Sequence, residues 1–172
     1  MSHTRWLDDD EQRTWRAFLA ATRLASDKVE RRLQSGAGMP LAYYEILVRL
    51  SEAPDRTLRM SVLADSALSS RSRVSHAVAR MQDAGWIARR SCPTDRRGQL
   101  AELTDAGLAV LEEAAPDHVE SVREAVFDAL DRDQQAALRV AAEAIVAHLS
   151  DGGEWPLAGD AGPDGPSRPH AS

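Results

Sequence analysis

Residues 60–107 read MSVLADSALSSRSRVSHAVARMQDAGWIARRSCPTDRRGQLAELTDAG, and their order decides the fold. Met60 to Ala67 has the apolar pattern of a short helix, with Val62, Leu63 and Ala64 expected to face inward. Leu68-Ser69-Ser70 is a tight connection, and either serine suits the N-cap of the next helix, because a hydroxyl accepts from a free backbone N–H. That helix reaches about Ala84, with Gly85 placed to cap its C-terminus. Trp86 to Arg90 reads as a strand, Pro93 to Gly98 as a polar turn and Gln99 to Leu103 as a second strand, which makes a β-hairpin with a long loop. Short helix, tight turn, helix and hairpin in this order predict a winged helix-turn-helix.

The helix after the tight turn is the candidate recognition helix. On a wheel of about 100° per residue, Val74, Val78 and Met81 fall together toward a core, and Ser72, Arg73, His76 and Arg80 fall on the opposite side. A basic face with small hydroxyls suits a major groove, where Arg reads guanine and Ser reaches a base or a phosphate. The hairpin tip adds Arg96 and Arg97 on a loop that can lie along a DNA backbone and place a guanidinium in the minor groove. Asp95 is placed to orient one of them.

Outward from this unit, Trp6 to Leu33 has helical periodicity in Trp15, Phe18, Leu19, Val29 and Leu33, and a second helix spans about Leu41 to Ser51. Ala53-Pro54-Asp55 is a turn, followed by a very short strand at Thr57 and Leu58. Thr104 caps a long helix running through Leu108, Leu111, Ala115, Val119, Val122, Val126 and Leu130, with a kink expected at Pro116. Asp131 caps a last helix with Leu138, Ala142, Ile145 and Leu149 on one face. Residues 151–172 are rich in Gly and Pro and have almost nothing apolar to bury, so they are expected to be disordered, with Trp155 the one anchor. The fold class is mainly α with a small β-hairpin wing.

The chain has 172 residues with 43% hydrophobic and 28% charged, enough for one packed domain. Its net charge of −6 is unevenly spread: residues 55–104 hold nine arginines and five acids, a segment of +4 in flanks of −10. A basic centre on acidic flanks suits a DNA reader carried on a scaffold that does not bind. Cys92 stands alone, so no internal disulfide or zinc ribbon can form, and His3, His76, His118, His148 and His170 have no metal-ligand spacing. No cofactor or metal is expected. No apolar run approaches the roughly 18 residues of a membrane span. Met1 to Asp10 is polar, without the pattern of a signal peptide, so the expected location is the cytoplasm. There is no nucleophile with a base, phosphate loop or paired carboxylates, which argues against an enzyme.

Leu63-Ala64, Ser72-Arg73-Val74-Ser75, Met81 to Arg89, Asp95-Arg96-Arg97-Gly98 and Leu103-Thr104-Asp105-Ala106-Gly107 together resemble the signature of the MarR family of bacterial transcriptional regulators. That family carries an Asp-x-Arg motif in its wing, here Asp95 and Arg97, followed by a Leu-Thr-x-x-Gly step, here Leu103, Thr104 and Gly107. The resemblance covers roughly residues 10–150 and implies a homodimer acting on double-stranded operator DNA. It divides the chain into a helical dimerisation region (6–40 and 105–150), a winged helix-turn-helix (41–104) and a tail. The apolar content of the outer helices agrees, since it would leave a large exposed patch on a single chain. Two-fold symmetry predicts a pseudo-palindromic operator with half-sites about 34 Å apart. By the same resemblance Arg97 enters the minor groove, and Ser70, Ser72, Arg73, Ser75 and His76 face the major groove. Arg80 and Arg89 are assigned to phosphates. The family often has Arg where His76 stands, a departure that bears on base preference and adds a group able to titrate near neutrality.

The resemblance also implies repression relieved by a small aromatic or phenolic effector, bound in a cleft between the outer helices and the DNA-binding lobe. Trp15, Tyr43, Tyr44 and His118 are the candidates for lining it, against an ordinary role in packing. Cys92 has arginine neighbours that favour a thiolate, but a bystander thiol is the expected reading. The rival function is a winged-helix module for protein–protein contact, whose acidic flanks would suit a basic partner.

Overall fold

The computed structural model describes residues 4–66, 71–92 and 95–150. Helix α1 spans Asp9–Gly36. It starts later than Trp6 because Asp8 and Glu11 form a reciprocal cap: the Asp8 carboxylate accepts from the Glu11 N–H at 2.8 Å, and the Glu11 carboxylate from the Asp8 N–H at 3.0 Å. Helix α2 spans Leu41–Glu52. Its N-cap, Pro40, offers no side-chain acceptor, and Glu30 of α1 supplies one to the Leu41 N–H at 2.8 Å. One helix thus caps the next.

A 3₁₀ turn at Pro54–Arg56 leads into β1 (Thr57–Arg59), α3 (Met60–Ser66), α4 (Arg71–Asp83), β2 (Ile87–Cys92) and β3 (Asp95–Leu103). The three strands form one antiparallel sheet in the order β1-β3-β2, with Thr57 opposite Glu102 and Ile87 opposite Leu103. Two expectations are corrected here. Strand β3 begins at Asp95, so most of the expected turn over residues 93–98 is strand; the ladder absorbs the surplus by a register shift at Ser91/Cys92, where Ser91 faces Gln99 and Cys92 faces Asp95. In α3, Leu63 and Ala64 are buried but Val62 is exposed, because adjacent helical residues point about 100° apart and the inward arc is narrow.

The core lies where α2, α3, α4 and the sheet meet the C-terminal part of α1. Leu33, Met39, Ile46, Leu47, Leu50, Leu63, Val74, Val78, Met81 and Ile87 are its most fully enclosed side chains. On β3 the inward residues are Ala101 and Leu103, two apart as a strand requires, while Leu100 is only partly covered.

Helix α5 spans Asp105–Ala125 and continues without a break through Pro116. The helix ends short of Leu130: Val126 leaves helical geometry (φ −131°, ψ −58°), a 3₁₀ turn occupies Phe127–Ala129, and Leu130 is extended. Helix α6, Arg132–Leu149, then starts from a capping box of Asp131 and Gln134. Ion pairs Lys28–Glu124 and Arg32–Asp117, both 2.8 Å, join α1 to α5. Helix α6 buries none of its residues, and Leu138, Ile145 and Leu149 are exposed, as are Trp15, Phe18 and Leu19 of α1. Between them runs an apolar groove of about 590 Å³, lined among others by Phe18, Leu24, Val126, Leu130 and Leu138. No helix among the described residues is long and apolar enough to cross a membrane. The expected caps Ser69 and Ser70, and the tail with Trp155, lie outside the described residues.

Candidate nucleic-acid interface

Helix α4 is two-sided. Val74, Val78 and Met81 are buried, and Ser72, Arg73, Ser75, His76 and Arg80 are exposed on the other side. Burying one apolar stripe fixes the helix rotation, so the exposed residues inherit their direction from the core. The C-terminus of α4 is set equally firmly. Gly85 takes φ +79°, the Gly85 N–H donates to the Gln82 carbonyl at 2.9 Å, and the Trp86 N–H donates to the Met81 carbonyl at 2.9 Å. These paired bonds are a Schellman motif.

The turn is then fastened to α5. The Thr104 N–H donates to the Trp86 carbonyl at 3.0 Å, and the Thr104 hydroxyl lies 2.7 Å from the Gly85 carbonyl and 3.0 Å from that of Trp86 while accepting from the Gly107 N–H. A Cβ on Gly107 would run into the Trp86 carbonyl oxygen and lie 2.8 Å from Leu103 Cδ1. The Leu-Thr-x-x-Gly step is therefore a close backbone contact between the end of the helix-turn-helix and the start of α5.

The wing continues from this turn. Arg90 pairs with Glu102 across the hairpin at 2.6 Å. Arg89 is half-buried and donates through Nη2 to the Ser75 carbonyl of α4 at 2.9 Å. The backbone of Asp95, Arg96 and Arg97 belongs to β3, but their side chains, like all of Ser70, lie outside the described residues. Cys92 is buried.

The four candidates for an effector site are not brought together. Trp15 is on α1, stacked on Phe18 at 6.2 Å between ring centroids. Tyr43 lines a groove of about 530 Å³ between α2 and α4, with Glu45 beside it and Arg73, His76 and Arg80 on the facing wall. Burial raises the Glu45 carboxyl above its ordinary range, partly offset by Arg49 and reinforced by Glu30. Only Tyr44 and His118 meet, at 4.1 Å between centroids and 31° between planes, where α2 packs on α5. Burial pushes the Tyr44 hydroxyl up, Glu52 adding to it, and pushes the His118 imidazole down. Sequence reasoning missed the Glu30 cap and the Arg89–Ser75 contact. The second was within reach, because Arg89 is two residues from the inward Ile87. Among the described residues no three His, Cys, Asp or Glu side chains gather as a metal would require.

A helix with one buried and one basic exposed face, a short helix before it and a paired hairpin after it define a winged helix-turn-helix protein. Comparison with known proteins narrows the class. A model of the MarR family matches residues 37–98. Sco3205 of Streptomyces coelicolor, a MarR family transcriptional regulator solved in complex with DNA, is 48% identical at a TM-score of 0.82, over 87% of this chain and 93% of its own. AbsC, a MarR family transcriptional regulator of the same organism, is 42% identical at a TM-score of 0.80, over 86% and 99%. The HTH-type transcriptional regulator PecS of Dickeya dadantii is 27% identical over 97 residues, a stretch that spans about half of that protein's length (54%). The chain belongs to the MarR family of transcriptional regulators.

Proposed function

We propose that this protein binds operator DNA as a homodimer and represses transcription. The observation that carries the reading is the exposed basic face of α4, set by the burial of Val74, Val78 and Met81, in a chain 48% identical to a relative solved on DNA. In this reading α4 enters the major groove with Ser70, Ser72, Arg73, Ser75 and His76, Arg80 meets a phosphate, and Asp95, Arg96 and Arg97 carry the wing to the minor groove. The exposed apolar faces of α1 and α6 supply the dimer contact, with residues 6–40 and 105–150 as the dimerisation region. A small aromatic effector would act at the seam of α2 and α5, where Tyr44 and His118 meet, by favouring a dimer whose reading helices are wrongly spaced.

The test is fluorescence anisotropy of the full chain on the duplex upstream of its own coding sequence, against random duplex, at two salt concentrations. Tight binding that falls steeply with salt and survives random competitor is expected. Arg97→Ala should weaken it and flatten the salt dependence, and Arg73→Ala should also relax preference at one base position by about 1–3 kcal/mol. Equal binding by both variants and the parent would overturn the assignment of these residues.

A further inference from the structure

Arg89 points inward. By the two-residue period of a strand, Ile87 and Arg89 share one face of β2, and Ile87 is buried against the core. The other face carries Ala88 and Arg90, where Arg90 is held by Glu102. From the inward face, Arg89 Nη2 reaches the Ser75 carbonyl at 2.9 Å, and Arg89 Nε is enclosed with no hydrogen-bond acceptor among the described residues. An enclosed donor left unmatched costs free energy. A side chain whose task was to touch a phosphate on the solvent side would keep both its donors and its charge outward.

The contact also closes a mechanical loop. Helix α4 and strand β2 are joined in sequence by the Schellman turn at Gly85, whose hydrogen bonds hold the helix end from one side. The Arg89–Ser75 bond joins them a second time, within α4, at a residue of the exposed face. Two separated points of attachment fix an angle where one does not.

We propose that Arg89 is a positioning residue: it braces β2 against the backbone of α4 at Ser75, so that reading helix and wing hold one relative tilt, and it does not serve as a phosphate ligand. The consequence for DNA rests on the function proposed above; the brace itself rests on the contact. The two roles leave different traces. A phosphate contact adds sequence-independent charge and shows in the salt dependence. A brace adds geometry, which shows in discrimination between sequences and in the free protein.

The experiment compares the full-length parent with Arg89→Ala and Arg89→Lys. Hydrogen–deuterium exchange is measured without DNA, and anisotropy across a salt series on the upstream duplex and on random duplex. In Arg89→Ala, exchange should quicken in α4 and β2, and upstream affinity should fall about ten-fold, while random affinity and the salt slope stay as in the parent. Arg89→Lys keeps the charge and most of the stem, and its exchange should fall between the other two. Unchanged exchange in α4 and β2 overturns the brace. So does a salt slope reduced by about one with both affinities falling in step, the signature of a lost phosphate contact. If the parent itself does not distinguish the duplexes, the DNA reading fails, and the exchange comparison still decides the brace.

Discussion

Two glycines at the ends of one short path show how differently the same residue type is used. At Gly85 the demand is conformational: φ is +79°, and nothing lies within 4 Å of where a Cβ would be. Gly85→Ala should cost about 1 kcal/mol, the penalty of left-handed backbone for an L-residue. At Gly107 the demand is space, because the obstructing atom is the backbone carbonyl of Trp86. Gly107→Ala should cost more, about 2–3 kcal/mol, since a carbonyl in a hydrogen-bonded turn cannot swing aside as a side-chain tip can. Urea unfolding of the two variants tests the order, and a larger loss at Gly85 would refute it. His118 gives a pH-dependent prediction. Burial lowers its folded-state value, so the unfolded chain binds the proton more readily. Stability is then lost as pH falls below about 6.5, imidazole's ordinary value, toward the lower folded one. His118→Gln should reduce the difference in urea midpoint between pH 7.5 and 5.5. An unchanged difference would show that this imidazole is not the source.

At the scale of elements, what the sequence makes legible is what local chemistry fixes. Thr104, Asp131 and Gly85 act as caps where they are read as caps, because a cap depends on a few neighbouring residues. The stripe of Val74, Val78 and Met81 is legible because a helix wheel is rigid. The start of β3 is not, because Asp95 to Gly98 are polar, and their pairing with β2 depends on a register shift that no local pattern encodes. The break at Val126 is hidden too, since the apolar spacing continues through it. The Glu30 cap joins residues 11 apart in sequence across two helices and leaves no short motif. Glu30→Ala should lower stability by about 1 kcal/mol by leaving the Leu41 N–H without this partner. Glu30→Gln, which keeps an acceptor oxygen, should recover most of it. Equal losses in the two would point to charge as the cause.

For the whole molecule, the unpartnered faces of α1 and α6 make the oligomer the quantity to measure. Leu149 is 74% exposed and Leu138 and Ile145 each 45%, an arrangement a lone chain would leave in water. Under the proposed homodimer, the paired substitution Leu138→Glu with Ile145→Glu should convert the species in analytical ultracentrifugation from dimer to monomer, and lower operator affinity with it. A parent that sediments as a monomer would remove the dimer from the proposal. The candidate site was less legible at this scale than the fold. Aromatics scattered along a sequence say little about which will meet, and of the four effector-site candidates Tyr44 and His118 are the pair that does.

The junction of Thr104, Gly107 and the Trp86 carbonyl has a bearing on how motion would pass through the molecule. Its partners are backbone groups of Gly85, Trp86 and Gly107, so it works as a clamp with little slack, and the long helix behind it as a crankshaft. A twist applied to that shaft arrives at the turn after Met81 with little lost on the way. At the opposite end of the reading unit, Asp55 and Arg56 are two successive residues held at φ of 51° and 52° without the freedom of glycine, so that end carries local backbone strain.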